Sequence, residues 1–403
     1  MLLIKNGFIV KGENELEEID ILVDNDVIVK MEKNIKADAK VIDAKGCLVM
    51  PGAVDVHVHF REPGFVNKET IKTGTESSAK GGFTAVMPMP NLNPCPDNYE
   101  NLKKEMDIIE KDAVIDCYPY GTVTVAEADK QMADIEAMAP YVKAITDDGR
   151  GVNNLEILEH ACRIAKKFNL VVASHAEDNF YKYAPEGEFV AVRREIEIAK
   201  RTGVKYHFCH MSTKESFDAI RQARKEGYKN ITCEITPHHL VLSEDMIKDG
   251  NWKMNPPLRS KANMKATIEA LLDGTADMIA CDHAPHTEDE KNQGLAKAPN
   301  GIIGFETVVP AIIMNLIEPG YLNYLDMVRL TSYNPSKLLG MDNERGSIEV
   351  GKIADITVFD PNIEYVYTKE MIVSKSKNSP FIDKKLKGKT KFTIVSGNIV
   401  YEG

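Results

Sequence analysis

Two histidines, His57 and His59, stand two residues apart in the apolar run VDVHVHF (Val54 to Phe60). Alternate side chains of an extended strand share a face, so both imidazoles point the same way. Three more reactive residues end later apolar runs: His175 closes LVVASH, His210 closes KYHFCH and Asp282 closes DMIACD. A lone histidine at a strand end is commonly a hydrogen-bonded structural residue, and a motif needs its structural context before it means chemistry. Five such residues at equivalent positions predict one metal site. Imidazole and carboxylate without thiolate suit zinc, with manganese or cobalt as substitutes.

Lys143, inside the short run YVKAI (Tyr141 to Ile145), is the sharpest anomaly. An isolated ammonium in a packed interior is costly. Either the side chain turns outward and its head reaches water, or its amine has reacted with carbon dioxide to give a carbamate that bridges two metals. Asp148, in the TDDGRG segment just beyond, is the alternative bridge because it needs no modification. The spacing favours Lys143.

These residues need a frame that delivers strand ends to one place. Eight apolar runs recur at a spacing of roughly thirty residues, the size of a β-α unit. They are VDVHVHF, TAVMPM (from Thr84), VIDCYPYG (from Val114), YVKAI, LVVASH, KYHFCH, ITCEIT (from Ile231) and DMIACD. Amphipathic stretches between them, such as NLEILEHACRIAKKF and TKESFDAIRQARKEG, read as helices with polar faces and basic or glycine ends. Strict alternation predicts an α/β fold, a (β/α)8 TIM barrel rather than an open doubly wound sheet, with its active site at the C-terminal strand ends. The first fifty and last sixty residues alternate as half-buried strands do. Paired, they predict a composite β-sandwich domain of residues 1–50 and 345–403 around a catalytic barrel of residues 51–344.

Composition narrows the function. With 43% hydrophobic and 28% charged residues among 403, general disorder and a fibrous architecture are excluded. A formal charge of -11 argues against coating nucleic acid, so an acidic substrate needs a local cluster of cations. Seven cysteines without C-x-x-C spacing predict neither a disulfide framework nor a thiolate zinc site, and fit a reducing cytoplasm. No apolar run of about 18 residues occurs, so neither a membrane span nor a signal peptide is expected. Only three glutamines, Gln131, Gln222 and Gln293, occur among abundant Lys and Glu, a bias of heat-adapted proteins.

The string DVHVHFREPG, with MPNLNP, CHMSTKES, ITPHHL, KMNPPLR and DHAPHT in that order, resembles the dihydroorotases of the amidohydrolase superfamily, type I-like. The similarity runs over almost the whole chain. It implies a two-zinc enzyme interconverting N-carbamoyl-L-aspartate and L-dihydroorotate in pyrimidine biosynthesis, through a hydroxide bridging the metals. It also implies His57 and His59 as ligands of one zinc, His175 and His210 as ligands of the second, and Asp282 as ligand and general base. Within the family the bridge is either a carboxylated lysine or the aspartate of a TDDG segment. Both are present here, and N6-carboxylation of Lys143 is the expectation.

On the substrate side, the planar fork of Arg61 suits a bidentate grip on a ring carboxylate. Asn91 and His286 are placed to add hydrogen bonds to it. His59 and Asn255 belong to the same side, and the backbone at Asn300 and Gly301 resembles the segment that contacts the ring. The glycine-rich Gly149 to Asn153 is a candidate lid. His160, His207, His238, His239 and His283 read as surface or supporting residues. The resemblance further raises an association with an aspartate carbamoyltransferase. The competing functions are another cyclic-amide hydrolase, a hydantoinase or allantoinase, and a non-catalytic amidohydrolase-like scaffold.

Overall fold

A computed structural model describes residues 1–13 and 15–403. Five strands come from the N-terminal stretch: β1 (Leu2–Gly12), β2 (Glu15–Asp24), β3 (Val27–Glu32), β4 (Lys40–Asp43) and β5 (Leu48–Pro51). Eight follow: β6 (Ala53–Val58), β7 (Phe83–Pro88), β8 (Asp116–Cys117), β9 (Ala144–Ile145), β10 (Val171–Ser174), β11 (Lys205–Phe208), β12 (Ile231–Ile235) and β13 (Met278–Ile279). The C-terminal stretch adds β14 (Ile356–Val366), β15 (Lys385–Val395) and β16 (Asn398–Glu402).

Every pairing among β6 to β13 is parallel, in the orders β6-β7-β8 and β9-β10-β11-β12-β13. Isolated parallel bridges, Gly121 with Ile145 and Val58 with His283, link the two groups at both junctions. Helices follow the strands, including Ile71–Gly81, Tyr99–Asp112, Leu155–Lys167, Pro185–Thr202, Lys214–Lys225 and Lys261–Leu272. Parallel strands covered on both faces are apolar throughout, and β6, β7 and β10 are buried along their whole length. Val171 and Ala173 enter one apolar cluster with Met87 and Cys209, while Val172 enters another with the helix residues Leu158 and Phe217. Successive strand residues therefore feed opposite faces, as the period of two requires.

The two ends of the chain meet in one hydrogen-bonded network of eight strands. Its order is β16-β15-β14-β5-β1-β2-β3, with β4 also on β1. Within it β1 forks. Its first half pairs with β4 and its second half with β5, while on its other edge the pairing with β2 shifts register between Ile4 and Gly7. Ile4, Ile21 and Ile28 from one arm share a core with Ile356, Val358 and Ile394 from the other. All seven cysteines are free. No helix among the described residues is long and apolar enough to cross a membrane.

Candidate metal centre

The C-terminal ends of β6, β10 and β11 and the residues following β9 and β13 turn toward one point. Three of the residues there leave their strands in the left-handed region: Arg61 at φ 62°, His210 at φ 36° and Asp282 at φ 48°. Non-glycine residues rarely adopt such φ values, and strain of this kind collects at functional sites. Asp55 fixes the strand ends beneath. Its two oxygens accept from the backbone N–H of His57 at 3.0 Å and of Cys281 at 2.9 Å, tying β6 to the segment after β13.

Asp148 lies at the centre of the cluster. Its Oδ1 is 3.4 Å from His57 Nε2, 3.4 Å from His210 Nε2 and 3.8 Å from His175 Nδ1. Its Oδ2 is 3.5 Å from His59 Nε2. Asp282 Oδ1 faces the same pair from the other side, 3.2 Å from His59 Nε2 and 3.6 Å from His57 Nε2. Ligand atoms of His57, Asp148 and His210 lie within 4.8 Å of one another, as do those of His57, His59 and Asp282. His57 Nε2 and Asp148 Oδ1 are buried and lack hydrogen-bond partners. Buried polar atoms are normally paired, so two orphans facing each other inside an oxygen and nitrogen donor set fit metal ions.

Lys143 is not part of this cluster, which corrects the expectation of a carboxylated lysine bridge. It precedes β9, its carbonyl accepts from Val171 N, and its Nζ lies 5.3 Å from the centre of the Tyr118 ring. The side chain is partly exposed, so the charge is not stranded in the core. Asp148, beyond the other end of β9, faces all four histidines instead.

Glu234 on β12 braces the centre from behind. Its Oε1 is 2.7 Å from His57 Nδ1 and accepts from His210 N, while its Oε2 is 3.0 Å from His207 Nε2. A carboxylate on Nδ1 fixes the tautomer and leaves Nε2 as the free donor toward a metal. Burial works to raise the Glu234 carboxyl, but His57 and His207 outweigh it and hold the group at about 2. Burial likewise opposes ionisation of Asp148, and the surrounding imidazoles, His57 foremost, hold it well below the usual carboxylate range. Glu234 and Asp55 were not among the residues singled out from sequence. A carboxylate inside an otherwise buried strand, in VDV and TCEI, was their signal.

A cavity of about 360 Å³ opens above the centre, lined by His59, Asp148, His175, His210 and Asp282 together with Arg61, Asn91, Asn255, His286, Asn300 and Gly301. Arg61 is steadied by its Nε donating to Pro285 O at 3.3 Å. Asn255 Nδ2 is 3.1 Å from His175 Nε2. Asn91 commits its amide donor group to Glu127 Oε1 at 2.9 Å and Asp148 O at 2.7 Å. His286 Nε2 donates to Asn300 O at 2.8 Å, leaving Nδ1 to accept from Lys68 at 3.3 Å. Burial, with Arg61 and Lys68 nearby, pushes the His286 imidazole down to about 2, so it is neutral.

The other residues set aside from sequence fall elsewhere. His160 is exposed, His207 lies behind the centre, His239 bonds Thr236 and Pro256 O, and His283 meets Glu69. His238 is buried on the segment after β12. The glycine-rich 149–153 segment is pinned, with Asn153 N bonded to Asp129 and Gly151 N to Asp147 O. A Cβ on Gly151 would lie 2.6 Å from His175 O, so this glycine serves close packing rather than a hinge.

Residues 48–400 match the amidohydrolase family. The chain belongs to that family. A dihydroorotase from Fusobacterium nucleatum is 41% identical over 421 residues, covering 99% of this chain and 98% of the relative. A dihydroorotase from Bacillus cereus is 42% identical over 422 residues with the same coverage. Among solved amidohydrolase-like structures, the dihydropyrimidinase of Brevibacillus agri superposes with a TM-score of 0.87 at 25% identity, covering 99% of this chain and 95% of its own. The L-hydantoinase of Arthrobacter aurescens gives 0.90 at 24% identity, covering 100% and 96%, and at that identity shows the fold alone.

Proposed function

We propose that this amidohydrolase is a cytoplasmic dihydroorotase, opening L-dihydroorotate to N-carbamoyl-L-aspartate and closing it again in the synthesis of pyrimidines. In this reading β6 to β13 close as a (β/α)8 barrel of residues 51–344, flanked by one β-domain from residues 1–50 and 345–403. His57, His59 and Asp282 would hold one zinc ion and His175 and His210 a second, and Asp148, whose carboxylate faces all four imidazoles, would be the anion shared by the two. Such ions supply Lewis acidity and a water acidified toward neutrality.

The protein's own groups do the rest. Asp282, kept ionised by His59 and His57 against the effect of burial, is a carboxylate able to take the proton of the attacking water. The same group returns that proton to the leaving ring nitrogen. The observation that carries the substrate assignment is Arg61, a guanidinium on the rim of the metal cluster with its Nε already anchored. A ring that bears a carboxylate can use the remaining fork, and hydantoin or allantoin cannot. Asn91, Asn255, His286, Asn300 and Gly301 bound the space left for the ring.

Turnover of dihydroorotate, hydantoin and allantoin by the zinc-loaded protein tests the assignment. Dihydroorotate is expected to give the highest kcat/KM, and Arg61→Met to raise its KM while leaving kcat nearly unchanged. Preference for either carboxylate-free ring would overturn the reading.

A further inference from the structure

A buried cation ties two walls of the cavity together. Lys291 ends the short helix Glu288–Lys291 and is only 2% exposed. Its Nζ donates to the carbonyl oxygens of Lys253 at 3.1 Å, Pro299 at 2.9 Å and Gly301 at 2.8 Å. An ammonium carries three donors and no acceptor, so these three carbonyls use all of them. A buried charge is tolerated when its hydrogen bonds are satisfied, and removing it strands the partners.

The carbonyls belong to the two segments that enter the cavity from this side. Gly301 N donates to Lys253 O at 2.9 Å, and Lys253 Nζ donates to Ala296 O at 3.1 Å, so the segments are already joined at their edges. Two residues past Lys253, Asn255 reaches His175 Nε2 at 3.1 Å. Between the other two carbonyls, Asn300 offers its own carbonyl to His286 Nε2 at 2.8 Å. Gly301, at φ 134°, packs so closely that a Cβ there would lie 2.7 Å from Ala284 O and 3.1 Å from the His286 ring. A shift of either segment therefore reaches the side chains that face the ligand.

We propose that Lys291 is a positioning residue for substrate: its ammonium, gripping the carbonyls of Lys253, Pro299 and Gly301, holds the walls carrying Asn255 and Asn300 at the spacing the bound ring requires. The inference rests on reading this cavity as the substrate site. Burial and the neighbouring Lys253 push the amine down to about 7, while three carbonyl oxygens aimed at it act in the opposite sense.

Lys291→Met in the zinc-loaded protein is the test, with steady-state kinetics, thermal melting and hydrogen exchange read on the same sample. The expected result is a KM for dihydroorotate raised on the order of tenfold with kcat little changed, because misplacement of binding groups costs affinity first. Exchange should quicken in residues 253–256 and 298–302, while the segments bearing His57, His59, Asp148, His175, His210 and Asp282 stay protected. A lowered melting temperature with unchanged KM would reduce Lys291 to a purely structural residue and overturn the proposal. If the methionine variant is not recovered folded, Lys291→Gln, which keeps two donors, is measured by the same criteria. Wild-type turnover is the control that separates the two readings: if another cyclic amide is the better substrate, the dihydroorotase assignment fails, and the KM split is read on that amide.

Discussion

Lys143 and Asp148 flank one short strand, and only one of them faces the histidines. An aspartate needs no reaction to supply an anionic bridge, whereas a lysine must first reach the site and lose its charge. Here Lys143 lies over Tyr118 before β9, and Asp148 follows β9 into the cluster. Asp148→Ala is expected to lower bound zinc well below that of the wild type and turnover by at least on the order of a hundredfold. Lys143→Met is expected to leave both unchanged. Elemental analysis and initial rates on the two variants decide the matter. Loss of metal in the lysine variant with retention in the aspartate variant would restore the carbamate bridge.

At the scale of elements, β12 contributes no expected ligand yet controls three imidazole positions. Glu234 extends from it to His57 on β6, His207 on β11 and the backbone of His210. Glu234→Gln keeps the shape but removes the charge and one acceptor, so His57 is no longer held in a single tautomer. Weaker zinc binding is expected, by on the order of tenfold or more, with the fold intact. Competition with a chelator, monitored alongside circular dichroism, measures this; unchanged affinity would show that the brace does not tune the metal. The alternation of short apolar runs made β6 to β13 legible, and the alternating His57 and His59 marked a shared face. Glu234 went unremarked because a single acid in a strand looks the same whether it faces a helix, water or a metal ligand.

The whole molecule joins its ends beside the helix Ile71–Gly81. Thr393 on β15 donates to Ala79 O and Thr357 on β14 donates to Gly82 O, both at 2.6 Å, while Ile394 is fully buried in the shared core. Truncation after Lys384 removes β15 and β16, bares the edge of β14 and deletes Ile394 from that core. An unpaired, partly apolar edge invites aggregation, and a domain has only about 5–15 kcal/mol of net stability to lose. A sharp fall in soluble yield and melting temperature is expected, and a truncated chain that melts like the full one would show the terminal sheet to be dispensable. The sequence located both strand-rich ends and their pairing. It did not reveal the fork in β1, whose first half pairs with β4 and second half with β5, because the alternation of residue types does not encode which distant strand lies alongside.

Residue type and spacing alone determined the eight-fold recurrence of apolar runs, the set of four imidazoles with Asp282, and the guanidinium beside them. These are local or periodic signals, carried by side-chain chemistry and the repeat of each element. The tertiary structure decided which anion stands among the imidazoles, that Glu234 lies behind them and that Lys291 holds the cavity wall. Those outcomes depend on distances between strands far apart in the chain, where a few ångströms separate a ligand from a bystander, and no spacing along the sequence encodes them.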